Sequence, residues 1–160
     1  MKKALILIAA LLLTAGLTGA DIAIDIGSDL PTLELPNIEG KITSLQEVQK
    51  NKKTVVVFFT SWSKSSQNNL GFLQDLKDKG QTVEIVGISF DKKAKDVKTF
   101  ISANKITFPV FVDKKLSAIN KFQLLVIPTT FCVNSSGVIE KIFVDYDDNV
   151  RKALAEWLKS

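Results

Sequence analysis

Residues 54–59, TVVVFF, are apolar or β-branched at every position, and residues 83–89, VEIVGIS, form a second, mostly apolar run. Successive side chains of a strand point to opposite sides, so runs without alternation predict strands buried on both faces. From Gln67 the period changes: Leu70, Leu73 and Leu76 recur along one side and Phe72 widens that face, which predicts a helix ending at Gly80. A second helix is predicted over 94–104, with Val97, Phe100 and Ile101 inward and Asp91 as its cap. A short strand at 108–112, a short helix at 116–122 and a strand at 129–133 follow. Ser135-Ser136-Gly137 turns the chain into a strand at 138–144. Asp147 or Asp148 caps a last helix whose Val150, Leu154, Trp157 and Leu158 share one face.

Upstream, Gly27, Pro31, Pro36 and Gly40 punctuate residues 21–41, with extended pieces at 32–35 and Ile38 and a turn at Glu39-Gly40. Residues 42–49 include a short helix. The order β-α-β-α-β-(α)-β-β-α predicts an α/β fold in one domain. Its mixed central sheet is parallel in the first half, closed by an antiparallel hairpin and flanked by helices on both faces.

Residues 1–20 stand apart. Lys2 and Lys3 precede an apolar stretch, Ala4 to Leu13, and Thr18-Gly19-Ala20 supplies the small residues of a cleavage site. This is the layout of a bacterial-type signal peptide, with the domain occupying 21–160 and the protein exported to the periplasm or another extracytoplasmic space. The alternative is an uncleaved anchor, the one route by which the chain would associate with a membrane. A spanning helix needs ~20 apolar residues, more than this stretch offers.

Composition narrows the chemistry. The chain has 21 basic and 17 acidic residues, and setting aside Lys2 and Lys3 halves the excess, so a nucleic-acid partner is not expected. Histidine is absent and Cys132 is the single cysteine. No internal disulfide can form, and zinc sites, Cys–His nucleophiles and Ser–His–Asp triads are excluded. No metal or cofactor is expected.

On this order of elements, the chain resembles the thioredoxin-like fold, and within it the exported redoxins of the TlpA/ResA type, over residues 27–160. The resemblance is carried by Gly27, Pro31-x-Leu33-x-Leu35, Gly40 and Leu45, then by a buried strand running into Phe59-Thr60-Ser61-Trp62. Phe108-Pro109, Asp113, Ile127-Pro128-Thr129-Thr130-Phe131 and Gly137 complete it. The family motif after the strand is W-C-x-x-C. Here it reads Trp62-Ser63-Lys64-Ser65-Ser66, so the resemblance puts Ser63 and Ser66 at the two cysteine positions. Where thioredoxins proper carry a buried acid, this chain has Val57.

Disulfide exchange needs a thiolate, and a helix N-terminus lowers a thiol's pKa to supply one. A serine hydroxyl stays protonated at neutral pH and cannot carry a two-electron thiol couple. No catalytic residue is therefore expected at Ser63 or Ser66. The resemblance also implies that Pro128 is a cis-proline beside the motif and that the Ile127 backbone pairs with an extended peptide by strand addition. Trp62, Lys64, Ile127, Pro128 and Thr129 are the candidate peptide contacts, in a groove floored by Trp62, Ile127 and Pro128. The partner would be an extended peptide or protein of the cell envelope.

The first function expected is thus a redox-inactive binding or scaffolding module. The alternatives are a TlpA/ResA-type thiol-disulfide oxidoreductase seen here in a Cys→Ser form, or a monothiol redox protein acting through Cys132. Cys132 lies between Phe131 and Val133 in a predicted strand, where a buried, inert thiol is the plainer expectation. A peroxidatic cysteine after Phe58-Phe59 is missing. Ser61-Trp62-Ser63-Lys64 matches S-x-x-K without the partner motifs of acylating enzymes. Ser63 and Ser66 read more simply as helix caps, and Lys64 as a solvated charge. No phosphate-cradling glycine loop occurs, and Asp145, Asp147 and Asp148 fit an acidic helix start better than a calcium site.

Overall fold

The computed structural model describes residues 24–160, and the leader expected at 1–20 lies outside the described residues. An antiparallel hairpin of β1 (Glu34–Pro36) and β2 (Ile42–Ser44) precedes α1 (Leu45–Gln49). Then come β3 (Thr54–Phe59), α2 (Lys64–Asp78), β4 (Glu84–Ser89), α3 (Ala94–Ala103), β5 (Val110–Val112) and α4 (Ser117–Lys121). β6 (Thr129–Val133), β7 (Ile139–Val144) and α5 (Asp148–Lys159) complete the chain. The main sheet has the order β5-β4-β3-β6-β7, parallel across β5-β4-β3 and antiparallel across β3-β6-β7. This is the mixed α/β sheet read from the sequence.

β3 is central and buried at every residue. Val56 and Phe58 face one core with Leu45, Phe122 and Phe131, and Val55, Val57 and Phe59 face the other with Leu70, Leu73, Val97 and Leu154. Two cores explain the unbroken apolar run, because neither face of β3 meets water. Gly87 in β4 admits this packing. A Cβ there would stand 3.0 Å from Cε1 of Phe59 and 3.3 Å from Cγ2 of Val110.

Several boundaries differ from the sequence reading. β2 was not expected: Asn37 shapes its turn by accepting from the N–H groups of Glu39 and Lys41 through Oδ1, and Gly40 sits at φ +90°. β5 starts at Val110 instead of 108. α5 is capped by Asp147, whose carboxylate accepts the Val150 N–H at 2.8 Å, not by Asp148. Asp91 does not cap α3; the N-cap there is Lys93, with no side-chain bond to the helix. Among the described residues no helix is long and apolar enough to cross a membrane.

Candidate functional site at the start of the second helix

β3 delivers the chain to one end of the sheet's strands, where Thr60 to Ser63 turn it into α2. The Ser63 N–H donates to the Thr60 carbonyl at 3.3 Å, closing the turn. Ser63 is the N-cap: its Oγ accepts the Ser66 N–H at 3.3 Å and its carbonyl accepts the Gln67 N–H at 2.9 Å. This cap lets α2 begin at Lys64, three residues ahead of the apolar pattern that marks it in sequence. Ser66 is not a cap. It lies inside the first turn, fully buried, with its Oγ accepting the Thr60 N–H at 3.4 Å.

The Ile127–Pro128 peptide bond is cis. Hydrogen bonds tie this loop to the start of α2 through Asp145. The Ser65 hydroxyl donates to the Asp145 carboxylate, and the Asp145 N–H donates to the Pro128 carbonyl at 2.8 Å. Asp145 holds φ +64°, a left-handed conformation that aspartate tolerates better than most residues, and its carboxylate also accepts the Tyr146 N–H. The Ser65 hydroxyl and then the Tyr146 N–H hold its carboxyl below the usual carboxylate range. Burial pushes the neighbouring Tyr146 phenol up to about 12.

The five candidate contacts differ in what they offer. Trp62 is 77% exposed, and Lys64 is exposed and in no ion pair among the described residues. Ile127 is half-buried against the core, and neither its N–H nor its carbonyl makes a hydrogen bond within the described residues. Pro128 is buried and its carbonyl is occupied by Asp145. Thr129 is buried as well, with its hydroxyl donating to the Val126 carbonyl at 2.7 Å. Pro128 and Thr129 therefore shape the loop, while Trp62 and Lys64 are exposed and the Ile127 backbone is unpaired among the described residues.

Two residues that sequence reasoning did not place here are structural keys to the site. Asp145 is one. Asp91 is the other: nearly buried, it accepts from the Ser61 N–H and hydroxyl, both at 2.8 Å, and from the Ser89 hydroxyl at 2.7 Å. It thereby clamps the loop after β3 to the end of β4. Its place two residues past a strand was the available signal, and a helix start nearby made capping the simpler inference.

Cys132 is remote from this chemistry. It lies in β6 opposite Val55 and Lys141, without solvent exposure, and burial pushes its thiol well up, Lys53 opposing only in part. No lowered thiol pKa supports a reactive role.

The chain matches the AhpC/TSA family over residues 26–142. It is similar to the thioredoxin-like protein YneN of Bacillus subtilis (strain 168), 30% identical over 129 residues, covering 78% of this chain and 74% of that one. It is also 30% identical over 120 residues to the thiol-disulfide oxidoreductase ResA of Bacillus cereus (strain ZK / E33L), covering 73% of this chain and 69% of that one. The crystal structure of StoA from Bacillus subtilis superposes with a TM-score of 0.65 at 29% identity, covering 81% of this chain and 98% of that one.

Proposed function

We propose a function from one premise: the chain belongs to the AhpC/TSA family and is a thioredoxin-like protein of the TlpA/ResA type. From it we infer an exported binding or scaffolding module that holds extended peptide at the family's substrate groove and performs no dithiol–disulfide exchange. The observation that carries this is Ser63 as N-cap of α2 with Ser66 buried behind it. A helix N-terminus favours a thiolate, but a hydroxyl there stays protonated and is used as a hydrogen-bond acceptor for the backbone. With no second cysteine in the chain, no internal disulfide can store the electron pair.

Binding does not need sulfur. The Ile127 backbone groups, unpaired within the described residues, suit strand addition by an extended peptide. The exposed Trp62 ring offers an amphipathic surface just ahead of α2, whose start the Ser65–Asp145–Pro128 hydrogen bonds join to this loop. The test is anisotropy of dye-labelled extended peptides titrated with the protein and with Trp62→Ala. Saturable binding weakened in the variant is expected. Identical binding by both proteins, or none by either, overturns the peptide-binding half.

The relatives named as thiol-disulfide oxidoreductases favour a second reading, in which the natural protein carries cysteine at 63 and 66 and this chain is its Cys→Ser form. Sequencing the gene separates the two. Serine codons at both positions end the second reading.

A further inference from the structure

We propose that the outer edge of β7 is a self-pairing surface, through which two copies of this chain join their main sheets in an antiparallel β7–β7 contact. The inference goes beyond the peptide-binding reading and does not depend on it.

β7 ends the sheet order, so one side of it has no neighbouring strand. Its start is covered, because the Gly27 N–H donates to the Ile139 carbonyl and the Ile139 N–H to the Ser28 carbonyl. Beyond Ile139 the edge is open. In an antiparallel pair the backbone groups of successive residues point alternately toward and away from the neighbouring strand. The Asp145 N–H donates inward to the Pro128 carbonyl, so Phe143 and Lys141 also face β6, opposite Thr130 and Cys132. The N–H and carbonyl groups of Ile142 and Val144 therefore point outward, with no partner among the described residues.

The side chains along this edge are apolar. Val144 is 56% exposed and Leu125 96%, and with Ile24, Val126 and Ile142 they wall a cavity of about 220 Å³. An open edge of this kind is a template for another strand.

The sequence of β7 identifies that strand as a second β7. Pairing two copies about Phe143 sets Ile142 against Val144 of the second copy and Val144 against its Ile142, so both outward-facing residues are hydrogen-bonded at once. The same register sets Lys141 against Asp145 of the second copy, once on each side of the axis. Centring on Ile142 instead would set Lys141 against Phe143 and Glu140 against Val144. The two charges also share a face of the sheet. Lys141 lies opposite Cys132, on the side where Leu70 and Leu73 of α2 pack, and the Asp145 carboxylate accepts from Ser65 in the first turn of α2. Lys141 and Asp145 are exposed and in no ion pair among the described residues. Of the other charges nearby, Glu140 accepts from Trp157 and Asn134, Asp147 caps α5 and Arg151 holds Asp148. Each Asp145 also holds its own Pro128 loop, so the pairing sets both loops beside the axis.

Sedimentation equilibrium of the purified protein over a wide concentration range tests the pairing. A reversible monomer–dimer equilibrium that weakens as salt rises is expected. Val144→Lys, a change at an exposed position, should raise the dimer dissociation constant by about tenfold or more, because it acts twice in a two-fold contact. Lys141→Glu should raise it about fivefold at low salt, and Lys92→Gln, which removes a charge elsewhere on the surface, should leave it unchanged. Phe143→Cys reads the register. Residue 143 meets its own counterpart in a non-hydrogen-bonded pair, about 4.5 Å between Cα atoms, so oxidation should cross-link the dimer. A protein that stays monomeric at every concentration overturns the proposal, as does a dimer indifferent to Val144→Lys. Dimers that cross-link through Ile142→Cys or Val144→Cys but not through Phe143→Cys pair in another register, which overturns the Lys141–Asp145 contact and the proposal with it.

Discussion

The Ser65 hydroxyl donates to the Asp145 carboxylate across 80 residues of sequence, and the next hydrogen bond runs from the Asp145 N–H to the Pro128 carbonyl. One aspartate therefore joins the helix start to the proline loop. The bond favours the ionised carboxyl, so its folded pKa lies below its unfolded one. A depressed carboxyl contributes stability above the unfolded pKa, and that contribution fades as pH falls through the folded value. Ser65→Ala is expected to raise the Asp145 pKa toward the ordinary range. Carboxyl-carbon NMR titration reads this directly, and an unmoved Asp145 pKa would show that the hydroxyl is not its partner in solution.

Ser63 caps a helix whose first turn carries no acidic residue, so the cap hydroxyl is the main acceptor available to its N–H groups. Ser63→Ala should lower unfolding free energy by about 1 kcal/mol, and Ser63→Gly by only a few tenths. Urea denaturation of the three proteins checks the order. If alanine costs no more than glycine, the Ser63 to Ser66 hydrogen bond does not stabilise α2.

Cys132 should react with a neutral thiol reagent only slowly in the folded protein and rapidly in denaturant, because its burial opposes both access and thiolate formation. Mass spectrometry over a labelling time course gives the two rates. Fast native labelling would restore the monothiol reading.

At Gly87 the neighbours leave a methyl group little room: Phe59 and Val110 would both have to shift. Gly87→Ala is expected to destabilise by about 1–2 kcal/mol, the crowding outweighing the entropy that alanine saves. Thermal unfolding tests it, and a rise in Tm would mean that the two side chains repack freely.

Much of the fold was legible because burial on two faces writes itself as continuous apolar runs. β3 matched its sequence bounds for that reason, as did β6, and the helix faces of Leu70 and Leu73 or Leu154 and Trp157 followed from spacing. β2 was not legible: a three-residue strand exposed at Ile42 carries no period of its own, and it exists because Asn37 folds the turn before it. The start of α2 carried no apolar period either, since its first turn, Lys64 to Gln67, has no apolar residue, and only Ser63, read as a helix cap, marked it. At the site, Trp62, Ser63 and the Ile127-Pro128 loop were recognisable by resemblance. Asp91 and Asp145 were not, because their roles depend on partners 30 and 80 residues away that no local pattern reports.

The most direct measurement is dithiothreitol-driven reduction of insulin by the purified protein, run beside the Bacillus cereus ResA to which it is similar. With hydroxyls at Ser63 and Ser66, the protein should add nothing to the uncatalysed rate. Turnover matching that relative would mean that electrons pass through this chain without a cysteine pair at the start of α2, and would contradict the binding-module reading at its root.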